Sequence, residues 1–384
     1  MNFYSIYSPD FLSKNLAALT QIGGILMQKQ TTFSLSRHEL SQDILLNRKS
    51  NKVQKGLVLR PVALAVLLAW NNVYAAETES HFYGKIDVQA LHTTNDLFRY
   101  ADQGWQLDFP LSRLGFKAQT ALSGDNSIVS VYEWQVNSLD SDNKQHPVAS
   151  RNTYIGINSL IFGELSFGKN DTRFKKSEGK VDLFRETVAD KSQVIAGQDR
   201  LENILTYVSP KSEQFQLNAS YQTGISDEKA GGYDLSVTYG DDALKQTTMY
   251  LGAAYVNGLN NLRGHRVVLQ VRVYENTLGT VSLGAMAQHL ENLTSRQGGN
   301  SWLLSAQLAT KLALYKVQYV EDPTHIRHQG HARTWSVGLD LLHSTTLNTY
   351  GLVTLLKVQP DTQMEPAAQA RNEVGLAIGA RWYF

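Results

Sequence analysis

The chain of 384 residues contains no cysteine. That removes disulfide staples, zinc-thiolate sites and thiol nucleophiles together. It also lacks an uninterrupted apolar run of the about 20 residues that a membrane-crossing helix requires, and over 81–384 no helical periodicity outlasts a dozen residues. No Gly-x-Ser-x-Gly elbow, phosphate loop or His-Glu-x-x-His helix occurs, so the common catalytic signatures are missing. The formal charge is only +1, which gives nucleic acid no basic footprint to bind. Proline is scarce at 8 residues, whereas Gly (28), Tyr (18) and Phe (13) are plentiful among Thr, Ser, Val and Leu. These are strand and tight-turn residues.

Near the N-terminus, Arg48, Lys49, Lys52, Lys55 and Arg60 precede the apolar run 62–70 and then Asn71-Asn72-Val73-Tyr74-Ala75-Ala76. Basic, apolar and small residues in that order read as a secretory signal peptide over 48–75, with cleavage expected after Ala75. Residues 1–47 form an unassigned extension, for which a start codon placed too far upstream is the favoured explanation and an unusually extended signal the alternative. Residues 1–75 hold 8 Lys+Arg and 3 Asp+Glu of the chain's 36 and 35, so the remaining 76–384 are mildly acidic, at −4.

Within 76–384 the dominant signal is period-two alternation. Val374, Leu376, Ile378, Ala380, Trp382 and Phe384 share one face, opposite Gly375, Ala377, Gly379, Arg381 and Tyr383. Likewise Phe82, Ile86 and Val88 oppose Tyr83, Lys85, Asp87 and Gln89. Strands are expected near 81–92, 103–121, 126–138, 150–158, 161–170, 201–208, 213–222, 231–240, 245–256, 263–274, 278–290, 300–309, 312–322, 332–343, 346–357 and 371–384, which makes sixteen. Tight turns such as Gly124-Asp125, Ser209-Pro210 and Asp241-Asp242 alternate with longer connections such as 139–149, 171–200, 291–299, 323–331 and 358–370. Short turns on one rim and long loops on the other suit an outer-membrane barrel, whose apolar face meets lipid. The expected fold is therefore an all-β, 16-stranded antiparallel transmembrane β-barrel, even in strand number and wide enough for a water-filled lumen. Its aromatic residues, Trp105, Trp134, Phe162, Tyr315 and Trp335 among them, suit interfacial girdles.

Several motifs in order resemble the general trimeric porins of Gram-negative bacteria. Phe82-Tyr83-Gly84-Lys85-Ile86-Asp87 is similar to that family's first strand, and Ser112-Arg113-Leu114-Gly115-Phe116-Lys117 to its second. Arg151-Asn152-Thr153-Tyr154-Ile155-Gly156 and Phe162-Gly163-Glu164-Leu165-Ser166-Phe167-Gly168-Lys169 resemble the fourth and fifth, and Arg200 to Pro210 the sixth with its turn. The resemblance implies passive diffusion of ions and small hydrophilic solutes through a homotrimer in the outer membrane, among lipid and lipopolysaccharide, with 139–149 as the latch to a neighbouring subunit. It implies no cofactor and no metal. Trp382 and Phe384 would carry the signal read by the barrel-assembly machinery.

The same resemblance implies a constriction. The long third loop, about 171–199, would fold into the barrel, and Lys85, Arg113, Arg151 and Arg200 would form a basic ladder on the wall facing loop acids Asp182, Glu186 and Asp190 across the water. Such a pair of charged banks makes a transverse field that filters solutes. The loop departs from the family in lacking a Pro-Glu-Phe-Gly-Gly segment and in carrying six basic residues against six acidic ones, which leaves ion preference open. His325, His328 and His331 read as a polar loop ahead of a metal site. The rival functions are a non-conducting barrel with a structural or adhesive role and, further off, a barrel enzyme.

Overall fold

The computed structural model describes residues 78–99, 101–136, 148–224, 231–360 and 369–384. The expected extension (1–47), signal peptide (48–75) and most of the latch segment 139–149 lie outside these. The strands are β1 (Thr78–Thr93), β2 (Gly104–Asp108), β3 (Arg113–Ala121), β4 (Asn126–Val136), β5 (Val148–Ser159), β6 (Gly163–Asp171), β7 (Arg200–Val208), β8 (Phe215–Gln222) and β9 (Gly232–Gly240). They continue as β10 (Met249–Asn257), β11 (Leu262–Glu275), β12 (Thr280–Asn292), β13 (Gly298–Ala309), β14 (Ala313–Asp322), β15 (Gly330–Leu342), β16 (Leu347–Pro360) and β17 (Arg371–Tyr383). From β3 onward each pairs antiparallel with its neighbour in sequence, and β1 pairs with β17 through Lys85↔Tyr383 to Thr93↔Gly375, which closes the sheet.

Closure yields sixteen staves, because β2 and β3 together form one. Both pair with β1, β2 at Gln89↔Asp108 and β3 at Lys85↔Arg113. The single strand expected over 103–121 is therefore interrupted at 109–112, where Pro110 has no N–H to give and Leu111 adopts a positive φ of 50°. Ser112 repairs the gap. Its hydroxyl accepts from Asp87 N–H at 2.9 Å and donates to Asp87 C=O at 3.0 Å, replacing the missing ladder bonds. A second difference is the turn expected at Asp241-Asp242, which spans the eight residues between β9 and β10. The Asp241 carboxylate organises it by accepting the amides of Ala243, Lys245 and Gln246.

The alternation sorts side chains as a membrane requires. Phe82 (68% exposed), Leu107 (74%) and Ile378 (61%) point outward, where only lipid makes such a surface tolerable, while Lys85 and Arg266 point inward and are almost fully covered. The inner face is not uniformly polar. Val268, Met286, Leu303 and Val320 also point inward and are buried, packing with Val181, Phe184, Val194 and Ile195 of the connection between β6 and β7. A core thus lies inside the barrel, between one sector of wall and the loop laid against it.

At the seam, Gly84 N–H donates to Phe384 C=O at 2.8 Å and Phe384 N–H donates to Gly84 C=O at 3.2 Å. A Cβ on Gly84 would collide with the Phe384 ring and sit 2.9 Å from the Arg113 carbonyl oxygen, whereas one on Gly351 meets nothing within 4 Å. Overpacking of this kind costs about 1–3 kcal/mol. Gly84→Leu is accordingly expected to lower the urea midpoint of the folded, heat-modifiable barrel, and Gly351→Leu to leave it within experimental error; equal midpoints would show that the seam is not packed as described.

Candidate pore constriction

Residues 172–199 leave β6 through α1 (Arg173–Lys176), whose first turn is capped by Thr172 Oγ1 accepting Lys175 N–H. The segment then crosses the inner wall and returns to β7. A loop removed from bulk water must find partners for its backbone, and seven consecutive strands supply them. Ser220 accepts Arg173 N–H (2.9 Å), Asp234 accepts Phe174 N–H (2.9 Å), and Tyr250 OH donates to Ser177 C=O (2.9 Å). Further along, Gln270 accepts Lys180 N–H (3.0 Å), Gln288 donates to Ala196 C=O (3.2 Å), Ser305 donates to Val181 C=O (2.7 Å) and Gln318 accepts Leu183 N–H (2.9 Å). The polar positions of β8 through β14 are the loop's hydrogen-bonding template.

Where this template ends, charge takes over. Glu186 reaches the strands at the seam, its Oε2 2.9 Å from Lys85 Nζ and its Oε1 2.6 Å from Arg113 and 3.6 Å from Arg151. Lys85 also contacts Asp87 (3.2 Å), which Arg381 Nε meets at 2.7 Å, and Arg151 is held by Glu133 at 2.6 Å. The same motif recurs twice. Glu178 is shared by Arg185 (2.7 Å), Lys191 (2.7 Å) and Arg266 (3.3 Å), and Asp171 by Lys175 (2.8 Å), Lys176 (3.4 Å) and Arg200 (3.1 Å). Three carboxylates thus gather three cations each, an arrangement that keeps a covered carboxylate ionised. Burial would raise the Glu186 carboxyl, but Lys85, Arg113 and Arg151 outweigh it and hold it well below the usual carboxylate range. For Glu178, burial is likewise overcome by Lys191, Arg185 and Arg266, which bring it to about 2.

Of the four ladder residues, Lys85, Arg113 and Arg151 converge on Glu186, while Arg200 pairs with Asp171 and donates to Asn152 Oδ1 (2.8 Å). Of the three loop acids, Glu186 alone meets the ladder, in direct contact where a water gap was expected. Asp182 is buried and accepts from Phe184 N–H, Lys191 N–H and Gln318 Nε2, its carboxyl raised to about 6 by burial and then by Asp190. Asp190 caps the 3-10 turn Lys191–Gln193 and accepts Glu186 N–H at 2.7 Å, fixing Glu186 in its left-handed backbone (φ 65°). Trp382 packs against Phe384 with ring centroids 5.0 Å apart and planes tilted by 41°, at the seam. His328 lies 2.8 Å from the Gln193 carbonyl and His331 2.6 Å from Glu321, so those two imidazoles serve different partners.

The sequence reading passed over Glu133, Glu178, Arg266 and Arg381. Glu133 and Arg381 were legible as inward positions, flanked by outward Tyr132 and Trp134 and by outward Ala380 and Trp382. Glu178 lies in a loop with no periodicity to give it a direction. Beside Glu186 lies a cavity of about 580 Å³ lined by Gln89, Asp108, Gln135, Asp190, Ser192 and Gln193 among others.

Residues 63–354, more than half of the chain, match the family model of Gram-negative porins. The chain belongs to the Gram-negative porin family. No curated protein matches this porin in sequence. Among solved structures it is similar to an anion-selective porin from Comamonas acidovorans (14% identity, TM-score 0.58, 80% of this chain and 100% of that one). It is also similar to Salmonella typhi OmpF in complex with daunomycin (15%, TM-score 0.60, 81% and 99%) and to the trimer form of OmpT, an outer membrane protein of Vibrio cholerae (13%, TM-score 0.55, 80% and 99%). At such identities the structural likeness speaks for the fold, and the family match for the class: this porin is an outer-membrane channel for small solutes.

Because the folded Glu186 carboxyl lies below its unfolded value of about 4.3, its stabilisation is complete above that value and is lost as pH falls through the folded one. Glu186→Gln leaves the covered Lys85 charge with Asp87 as its remaining anion and is expected to cost about 3 kcal/mol. In urea unfolding, the gap between wild type and Glu186→Gln should stay constant from about pH 8 to 5 and narrow only below the ordinary glutamate range. No gap at neutral pH would remove Glu186 from the account.

Proposed function

We propose that this porin carries ions and small hydrophilic solutes by passive diffusion through an aqueous lumen that residues 172–199 narrow, and that Glu186 pinned between Lys85, Arg113 and Arg151 sets the geometry of that narrowing. The observation that carries the reading is this contact. It anchors a loop whose far side is packed on β8 through β14, so the loop stands as a shelf in the lumen with a polar cavity beside it. Inward charges such as Arg113 and Arg200, each partly exposed, are cheap in a wet lumen and would be costly in a sealed one. Arg200 and Asp171 act at the root of the loop, and Asp182 and Asp190 keep its shape so that Glu186 reaches the wall. No catalytic step is assigned to the barrel.

Export by a signal peptide at 48–75, with 76–384 as the mature barrel, fits the basic-apolar-small order of that segment. Assembly as a homotrimer fits the family resemblance and the trimer form named for the similar OmpT. Trp382 and Phe384, packed on each other at the seam, are suited to recognition by the barrel-assembly machinery while the seam is still open. Lipid and lipopolysaccharide are the expected surroundings of the apolar outer face.

Refolded 76–384 in a planar bilayer is expected to give stepwise conductance, in multiples of three for a trimer. Arg113→Glu, which opposes Glu186 with like charge, should raise conductance fluctuations and shift the reversal potential in a salt gradient. A folded, inserted barrel that passes no current would replace the diffusion reading with that of a closed structural barrel.

A further inference from the structure

We infer that this channel selects small anions, such as carboxylates and phosphates, and that Lys176, Lys180 and Arg185 on the water-exposed side of the loop impose the preference. The inference rests on the channel reading above and deepens it.

The loop has two sides. One is packed on the wall, with Phe174, Val181, Phe184 and Val194 at most about 1% exposed. On the other, across 172–199, the exposed residues are Lys176 (54%), Lys180 (58%) and Arg185 (43%), and all are basic. Four of the loop's five acids are turned away, and the fifth, the half-buried Asp199, accepts from Asn260 Nδ2 at 2.7 Å. Glu178 and Asp182 are buried, and Glu186 and Asp190 are largely covered by the bonds already described. A segment with six basic and five acidic residues therefore shows the lumen a positive surface.

Pairing does not cancel that surface. Lys176 shares Asp171 with Lys175 and Arg200, and Arg185 shares Glu178 with Lys191 and Arg266, so each anion is outnumbered by three cations. Lys180 has Asp242, at 3.7 Å and itself 41% exposed, a pair of the solvent-screened kind that contributes little. Arg113 and Arg200 add partly exposed positive charge on the wall. Acids do line the neighbouring cavity: Asp108 is hydrogen-bonded by Gln89 and by Phe109 N–H, Asp102 is exposed, and Arg99 stands among them. Fixed charge acts most strongly where low-dielectric walls confine it, and the loop lies inside the barrel against its inner wall.

The test is the reversal potential of the intact mature protein across a potassium chloride gradient. Wild type should favour chloride severalfold, the triple variant Lys176→Gln, Lys180→Gln, Arg185→Gln should approach equal permeability, and Lys245→Gln in the connection between β9 and β10 should behave as wild type. A conducting wild type that prefers potassium would overturn the inference and assign control to the cavity acids. Absence of any current would instead remove the channel reading itself. Should the triple variant not fold, Lys180→Cys in this cysteine-free chain decides the point. A negatively charged thiol reagent should modify it faster than a positively charged one of equal intrinsic reactivity, and the reverse order would overturn the assignment.

Discussion

Every backbone amide and carbonyl in a membrane-crossing strand must find its partner within the protein, since lipid offers none. The pairing of β1 with β17 on one side and with β2 and β3 on the other meets that demand by closing the sheet. Where the ladder fails, at 109–112, a serine hydroxyl substitutes for it. Closure turns alternation into inside and outside. An apolar exterior becomes an asset, and the enclosed lumen admits water and with it charge.

The same rule governs the loop that enters the lumen. Its carbonyls and amides are answered one after another by Ser220, Asp234, Tyr250, Gln270, Gln288, Ser305 and Gln318, so the inward polar residues of half the wall serve a structural end. At its root, its middle and its tip the loop is tied by a carboxylate shared among three cations. Carboxylates covered in this way stay ionised and hold the loop in place, while Lys176, Lys180 and Arg185 are the charges the loop leaves exposed. Function follows from this division: acids fix the geometry and bases set the field.

Much of this was legible in the residues. Alternation of lipid-facing and water-facing positions is a local property, so strands such as Thr280–Asn292 and Arg371–Tyr383 and the inward phase of Lys85 and Arg113 could be read directly. The interruption at Pro110 shifts the alternation by one residue, from Asp108 inward in β2 to Arg113 inward in β3, and a single strand drawn over 103–121 passes over that shift. The eight-residue turn after β9 was hidden because an aspartate that caps three amides looks like any turn aspartate. The loop was least legible. Asp182, Glu186 and Asp190 stand four apart and look equivalent in sequence, yet one meets the ladder, one is buried beneath Gln318 and one caps a turn. Contacts with strands more than a hundred residues away make that choice, and no local pattern encodes them.

The central claim is that residues 172–199 rest against the inner wall in the conducting channel. A Cβ placed on Gly284 would lie 3.7 Å from the Val181 Cα, which brings the two positions within reach of a disulfide, and 2.5 Å from Ser305 Oγ, so the pair is tested in a Ser305→Ala background that makes room for it. In the cysteine-free chain, Val181→Cys with Gly284→Cys should oxidise to a single intramolecular bond, and the oxidised barrel should conduct as the reduced one does, because the bond holds the loop where it already lies. Failure of the two thiols to pair in the folded barrel, or a conductance that changes when they do, would contradict the account.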